Sequence, residues 1–516
     1  MKKIISLFFL LAIFSNIWGT VYYVSPAGVD SPGAGTSETP FRTLQYAFLQ
    51  MSGSDTLYLK EGEYSGPGNM IDVYAGMDRQ PPSGSPGAYT LISAEPGKHV
   101  WIDGGDAYTT FSLSNRSYIK FNHITWRNSG SANVISIHDD AGEVHHIILK
   151  NCGAIDPSDN KDSGPLALSG TNFRDAPDQR LTHDILIEDC WAAGTARLVL
   201  TVWRCENVVV RRFVGRWDSH TYFPGRPEGG STSYESANVS FQNCIFIDGN
   251  QNLDNYGGYG SMGTAQHTDE FAIDGLEFLG NIMYNWYGGF ILENDNGTTM
   301  RNVTIRNNVV WLQKREGKIT FSIAGGNKIN VLVENNTIAS SVGDGVYTSS
   351  GSLSSNSVTF RSNLIYNNAG TALMGSPGLP ADYLNVYGNG SVGNNPGPNS
   401  ISADPQLKYI LRIEDNSPCK GAGYNGSDIG ANILFRYGTD GTFWGDPGYN
   451  SLTSIPLWPY PNEDIIQQDF RAVDNRGFCQ DISLTNYIWN VLGNGCPVCN
   501  EITDIDAKIE KKKLGK

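Results

Sequence analysis

The residues best spaced for chemistry are His267-Thr-Asp269-Glu270 and Glu293-Asn-Asp295. Two carboxyl groups about 5 Å apart suit a retaining glycosidase, and a wider pair suits an inverting one. The same oxygens suit a hard cation such as Ca2+. Carboxylates at a strand edge also simply solvate a sheet and block its pairing with other chains. On the residues alone these readings stay open. A second polar set lies upstream: His138, Asp139, Asp140, Arg197, Arg204, Tyr234 and Glu235, with Asp139 and Asp140 as candidate ligands for a metal. Proton abstraction beside a uronate carboxylate needs a base and a neutralising cation. A lysine or arginine in that role must have a shifted pKa or a fixed position. Lys161, Arg197, Arg204, Lys314, Arg315 and Lys318 are the cations available, the last three forming the densest basic cluster.

A repeat would bring these residues together. Arg301-Asn-Val-Thr-Ile-Arg-Asn-Asn-Val-Val-Trp311 reads as a short strand, a tight turn at Asn307-Asn308 and a second short strand. Asn330 to Ile338 and Ser357 to Tyr366 say nearly the same thing. The aligned residues Asn281, Asn308, Asn336 and Asn363 are spaced by 27, 28 and 27. A constant period of this size means one supersecondary unit stacked on itself, and stacked amides hydrogen-bond along such a ladder. The asparagines are therefore architecture. Upstream, the same turn falls at His123, Cys152, Cys190, Phe213 and Cys244, with irregular spacing and inserted loops. A strand precedes each unit: Val134 to His138, Leu166 to Ser169, Leu198 to Trp203, Ser233 to Ser236, Glu270 to Ile273, Phe290 to Glu293, Ile319 to Ile323 and Val346 to Thr348. Stacking puts them in one parallel sheet with neighbours about 4.8 Å apart. Loops are where binding sites concentrate, so function is expected where the period fails, between about Asp139 and Asp295.

The rest of the chain bounds the class. Lys2-Lys3, an apolar run from Ile4 to Phe14 and small residues up to Gly19 describe a secretory signal over residues 1–19. The run is too short to span a bilayer, which takes about 20 residues. Abundant Gly and Asn with modest charge describe a turn-rich β protein. A net charge of −15 argues against nucleic acid and anionic membranes as partners. An acidic polysaccharide would need a basic cleft or a bridging cation; otherwise the substrate is neutral. Of eight cysteines, Cys152, Cys190 and Cys244 fall at the repeat position as buried free thiols. Cys419, Cys479, Cys496 and Cys499 are disulfide candidates in an exported protein. Beyond about residue 435 the aromatic, proline-rich stretch 436–503 reads as an extension packed on the repeats, with a short helix capped at Ser483. Residues 504–516 read as a charged tail.

The opening of the mature chain carries a resemblance. Tyr22-Tyr-Val-Ser-Pro26, Phe41-Arg-Thr-Leu44, Asp55-Thr-Leu-Tyr-Leu59 and Gly62-Glu-Tyr64 resemble the N-terminal cap and first coils of secreted right-handed parallel β-helix proteins, the pectin-lyase-like superfamily. Ile102-Asp-Gly104 and Ser117-Tyr-Ile119 continue it. Near the other end, Asp404-Pro-Gln406 and Ser417 to Ala422 resemble the closing coils. The resemblance covers roughly residues 21–435. It implies an all-β solenoid over 20–435 with an N-terminal helical cap. It also implies a substrate cleft on the sheet of preceding strands, so the expectation is a secreted or cell-surface, monomeric protein that cleaves an extracellular polysaccharide by β-elimination or hydrolysis, with Ca2+ as the one cofactor candidate. A non-catalytic carbohydrate-binding or adhesive β-helix is the alternative. Glu270, Glu293, Asp269, Asp295, His267 and Arg204 are then the catalytic candidates. Tyr234, Glu235, Lys314, Arg315, Lys318 and Trp203 are the substrate-binding ones. Trp217-Asp-Ser-His220 lacks the residue between Trp and Asp that the Trp-x-Asp-His element of pectate lyases has, and carries no assignment.

Overall fold

A computed structural model describes residues 19–73, 79–131, 133–157, 164–171, 180–194, 197–218, 229–249, 262–265, 273–286, 288–314, 319–349, 357–375 and 379–499. The chain winds as a right-handed parallel β-helix with three strands per coil. The first sheet runs from Val21–Val24 to Ala381–Asp382. The second runs from Glu63–Ser65 to Asn385–Tyr387, and the third from Ile71–Asp72 to Ser391–Gly393. Strands Phe290–Arg306 and Ile319–Glu334 pass unbroken round the corner from the third sheet to the first, joining those two into one 23-stranded hydrogen-bonded sheet.

Alternation puts every second side chain into the barrel. Ile135, Ile137, Ile147, Leu149, Leu166, Leu168, Leu200 and Val202 are all in the core. Like stacks on like: the rings of Phe241 and Phe278 lie 5.3 Å apart and nearly coplanar in orientation, as do those of Phe290 and Phe321 at 4.9 Å.

The corner between the first and second sheets shows why the asparagines repeat. The chain turns there on one left-handed residue, at Asn151, Asp189, Arg212, Asn243, Gly280, Asn307, Asn335 and Ser362. The next residue points inward. In Asn281, Asn308 and Asn336 its Nδ2 donates to the Oδ1 of the following coil's asparagine at 2.9 Å each, ending on Asn363. Each Oδ1 also accepts the backbone N–H of the coil before. Cys152, Cys190 and Cys244 take the same place as buried free thiols. The first alignment needs correcting: His123 has φ 57° and is the left-handed residue, so the inward position belongs to Ile124, in register with Val100.

Helix α1, Leu44–Gln50, closes the first coil with Leu44, Ala47 and Phe48 buried and the Thr43 hydroxyl capping its N-terminus. Residues 435–499 cover the outer face of the second sheet. They contain a hairpin of Phe435–Tyr437 with Leu452–Pro456, helix α2 at Glu463–Val473, and helix α3 at Leu484–Trp489, capped by Ser483. Neither the hairpin nor α2 was foreseen from sequence. Of the four candidate cysteines only Cys496 and Cys499 are joined; Cys419 and Cys479 are buried free thiols. Among the described residues no helix is long and apolar enough to cross a membrane.

Candidate functional site

The third sheet turns two rows of side chains outward. One row is small: Ser112, Ser136, Ala167, Thr201 and Thr232 stand in register on five consecutive coils, followed by Gly263. The neighbouring row runs His138, Ser169, Trp203, Tyr234 and Ala265. Glu293 continues it, one residue past the Thr264–Leu292 pair. The face is thus a floor of small residues flanked by a rail of larger ones. Thr232 Oγ1, 1% exposed, points onto this floor and has no hydrogen-bond partner among the described residues.

The rail ends at the corner toward the first sheet, where the charged residues gather. Arg204 Nε donates to Glu235 Oε2 at 2.7 Å, and the Arg204 guanidinium lies 4.8 Å over the Trp203 ring. Arg180 donates to the Glu235 carbonyl at 2.9 Å. Both Arg204 and Glu235 adopt left-handed φ, as the corner requires. Trp203, half-buried, packs on Leu198 and Tyr234. Two coils before Arg204, Asp139 Oδ1 accepts the N–H of Thr171 at 2.8 Å and its hydroxyl at 2.7 Å, while Asp140 stays half-exposed.

Ser112, His138 and Asp140 look at first like a nucleophilic relay. Ser112 Oγ is 2.9 Å from His138 Nε2, and His138 Nδ1 is 3.5 Å from Asp140 Oδ2. The backbone N–H of Asp140, however, donates to Nδ1. That places the ring proton on Nε2, which donates to Ser112, whereas general-base activation requires Nε2 to accept. Burial lowers the His138 pKa against the raising effect of Asp140 and Asp139.

The structure gathers His138, Asp139, Asp140, Trp203, Arg204, Tyr234, Glu235 and Glu293 on one face. It separates Lys314, which lies at the opposite corner beside Asp248 and Arg476 of the second-sheet side, with a pKa lowered by burial. His267, Asp269, Glu270, Arg315 and Lys318 lie outside the described residues, as does the Asp295 side chain. Two strand readings change. The strand read at Ser233 to Ser236 is Gly229–Tyr234. The strand read at Glu270 to Ile273 is Met262–Ala265, while Ile273–Leu279 belongs to the first sheet. The neighbour of Glu293 on the rail is therefore Ala265 and not Glu270, so the register gives no support to a Glu270–Glu293 pair about 5 Å apart.

Sequence reasoning missed Ser112, Thr171, Thr232 and Lys328. Lys328 stands in register with the core residue Met300 and folds beneath the corner. Its ammonium donates to Ala324 O at 2.6 Å, to Gly326 O at 3.2 Å and to Asn294 Oδ1. Burial pulls its pKa down to about 8, against the raising effect of Glu293. All three N–H donors are engaged, so it clamps the unbroken corner. The 28-residue step from Met300 to Lys328, a lysine where the repeat calls for an apolar residue, was the signal available.

A charge cluster elsewhere has metal-like spacing. Glu188, Asp189 and Asp440 approach one another, but Lys150, Arg211 and Arg212 contact the same carboxylates at 2.5 to 2.8 Å. Three cations already answer three acids there, and Glu188 is held down at about 2.

No protein-family model and no curated protein matches the chain. Solved structures do. The pectate lyase Pel9A matches at 14% identity over 80% of this chain and 95% of its own, with a TM-score of 0.44. XylC in complex with xylose matches at 10% identity over 77% and 88%, with a TM-score of 0.45. A family 6 polysaccharide lyase from Pseudopedobacter saltans matches at 12% over 76% and 90%, with a TM-score of 0.44. At these identities the likeness is one of fold.

Proposed function

We propose that this is an exported carbohydrate-active protein that holds a polysaccharide along the outer face of the third sheet and cleaves it by β-elimination or hydrolysis. The observation that carries this reading is the rail of Trp203, Tyr234 and Glu293 beside a floor of small side chains, on stacked strands of fixed spacing. An aromatic ring held by its neighbours offers an apolar face to a sugar ring at small entropic cost. Arg204 and Glu235, locked to each other, fix the Trp203 ring. Glu293, half-buried on the same rail, is the acid placed to act on a chain lying there.

The test is Trp203→Ala and Glu293→Gln assayed on a panel of polysaccharides. Trp203→Ala should reduce retention of the polymer about tenfold, equivalent to about 1.4 kcal/mol. Glu293→Gln should leave retention and abolish cleavage. New absorbance from unsaturated uronates identifies elimination; new reducing ends without it identify hydrolysis. Retention and cleavage unchanged in both variants would remove the site from this face.

A further inference from the structure

The corner where the third sheet passes into the first carries imidazoles and carboxylates that the candidate site does not use. Strands Val144–Lys150 and Thr182–Glu188 of the first sheet pair in register, His145 beside His183. His146 and Asp184 come next, each the left-handed residue of its coil, with φ 52° and 50°. Asn207 and Asn238 hold the same place on the two coils that follow. Asn238 Nδ2 donates to Asn207 Oδ1, and Asn207 Nδ2 donates to Asp184 Oδ1, each at 3.0 Å. This outer amide ladder fixes the Asp184 carboxylate and then stops. His146 takes the next place, and its Nδ1 lies 3.9 Å from Asp184 Oδ2, too far for a hydrogen bond. His145 Nδ1 meets His146 Nδ1 at 2.8 Å. His183 Nδ1 lies 2.7 Å from Asp184 Oδ2, and Glu143 Oε1 lies 2.8 Å from the Nε2 of the same ring. A carboxylate backed by an imidazole in this way is held in a fixed orientation.

Two imidazole nitrogens and one carboxylate oxygen thus gather from two consecutive coils. A tetrahedral ion bound at about 2.0–2.1 Å keeps its donors about 3.3 Å apart. The 2.8 and 3.9 Å separations lie on either side of that value. The cluster of Glu188, Asp189 and Asp440 differs in kind, since lysine and arginine answer its acids. Among the described residues no lysine or arginine pairs with Asp184; its ion-pair partners are histidines. The side chains of His146 and Asp184 are 31% and 22% exposed, so an ion and its water can reach them. We propose that His145 Nδ1, His146 Nδ1 and Asp184 Oδ2 bind one divalent transition ion, Zn2+ or a close neighbour, which ties two coils together at the edge of the first sheet beside Phe443 of the extension. Nitrogen donors select such ions over Ca2+, which takes oxygen alone. In the metal-free protein one of the two facing nitrogens carries a proton. On binding, that proton moves to Nε2 of the same ring, and both Nδ1 lone pairs face the ion.

The experiment titrates the full-length protein, stripped with chelator, with Zn2+ by calorimetry and with Cu2+ by electron paramagnetic resonance. One equivalent of Zn2+ should bind with a Kd of about 10 μM or tighter. The unfolding temperature should rise with Zn2+ and return to its starting value in chelator. The Cu2+ spectrum should show splitting from two imidazole nitrogens, and from one in either His145→Gln or His146→Gln. Each of these variants, and Asp184→Asn, should weaken Zn2+ binding at least about tenfold. Thermal unfolding without metal checks that each is folded. Equal Zn2+ binding by the wild type and by His145→Gln combined with His146→Gln would put the ion elsewhere and overturn the proposal. So would the absence of binding to folded wild type at about 1 mM Zn2+, or displacement of Zn2+ by an equal concentration of Ca2+.

Discussion

The second and third sheets carry similar residues outward and use them oppositely. On the second-sheet side residues 435–499 take up much of the outward polar and aromatic surface, while Arg127, Asp103 and Glu63 answer one another within the sheet. Asp469 of helix α2 accepts from Trp101 Nε1 at 2.9 Å, Trp191 Nε1 at 2.8 Å and Thr125 Oγ1 at 2.8 Å. Arg211 reaches Glu188, Thr439 O and Tyr449 O, and Arg216 reaches Phe470 O and Asp474 O. All three arginines, 211, 212 and 216, are fully buried. On the third sheet the corresponding residues meet one another at the corner and leave a floor of small side chains beside half-exposed Trp203. Satisfied and buried polar groups specify a docked surface. On the reading proposed above, the half-open ring of Trp203 is the part of the third-sheet face left for a polysaccharide.

That contrast breaks most visibly on the second-sheet side. Arg212→Ala leaves buried Asp189 without its close counter-charge, while Glu188 keeps Lys150 and Arg211; breaking such a buried pair costs about 3–5 kcal/mol. Thermal unfolding should show it, and limited proteolysis should release fragments ending near residue 435. Equal stability and an unchanged digestion pattern would mean that the extension is held by apolar contacts alone. Asn308→Ala in the amide ladder should cost less, about 2–3 kcal/mol, because one acceptor and two donors are lost from buried partners. Chemical denaturation measures it, and polysaccharide retention should not change. Trp203→Ala inverts this pattern. Its ring is half-buried, so stability should fall by about 1 kcal/mol or less while retention falls about tenfold.

These regions also differ in how far the sequence disclosed them. The amide ladder was legible from spacing alone, because each coil must repeat the same turn and an inward amide satisfies its neighbour's backbone. Helix α1 was legible from Leu44, Ala47 and Phe48 on one face. Helix α2 was not. Its buried stripe of Ile466, Asp469 and Phe470 places an acid where apolar periodicity calls for a hydrophobe, and that acid makes sense only against Trp101 and Trp191, almost three hundred residues or more away in sequence. The rail of the candidate site was legible in part. Trp203, Tyr234 and Glu293 follow from strand alternation. The floor did not stand out, because serine, alanine and threonine at outward positions look like ordinary solvated strand residues until register aligns them. The strand read at Glu270 to Ile273 was misplaced for a simpler reason: the insertion before Ile273 hides which strand belongs to which sheet, and Glu270 itself lies outside the described residues.

A last, smaller effect divides the contacts of residues 435–499 by pH. At the first sheet's edge His145 Nδ1 and His146 Nδ1 lie 2.8 Å apart, a contact that accommodates one proton and not two. His146 stacks on Tyr118 and meets Phe443 of the extension. Glu143 and Asp184 face the group through His183, and Asp446 acts on His146 from the extension. Burial is the largest cause of a lowered pKa in both His145 and His146, with neighbouring histidines adding to it and Glu143, Asp184 and Asp446 opposing it. The folded state then binds fewer protons than the unfolded chain near the ordinary histidine value of about 6.5. Stability from this pair is present above that value and is lost as pH falls through it. The Glu188 network, with its carboxyl held near 2, contributes stability above the ordinary carboxylate value and loses it only as pH falls from about 4.5 toward 2. Unfolding measured from pH 8 down should therefore weaken in two stages. His146→Gln should remove part of the first, on the order of 0.5 kcal/mol given its partial exposure, and leave the second in place. A single transition below pH 4.5, unchanged by His146→Gln, would show that the histidine contact exerts no hold on the extension.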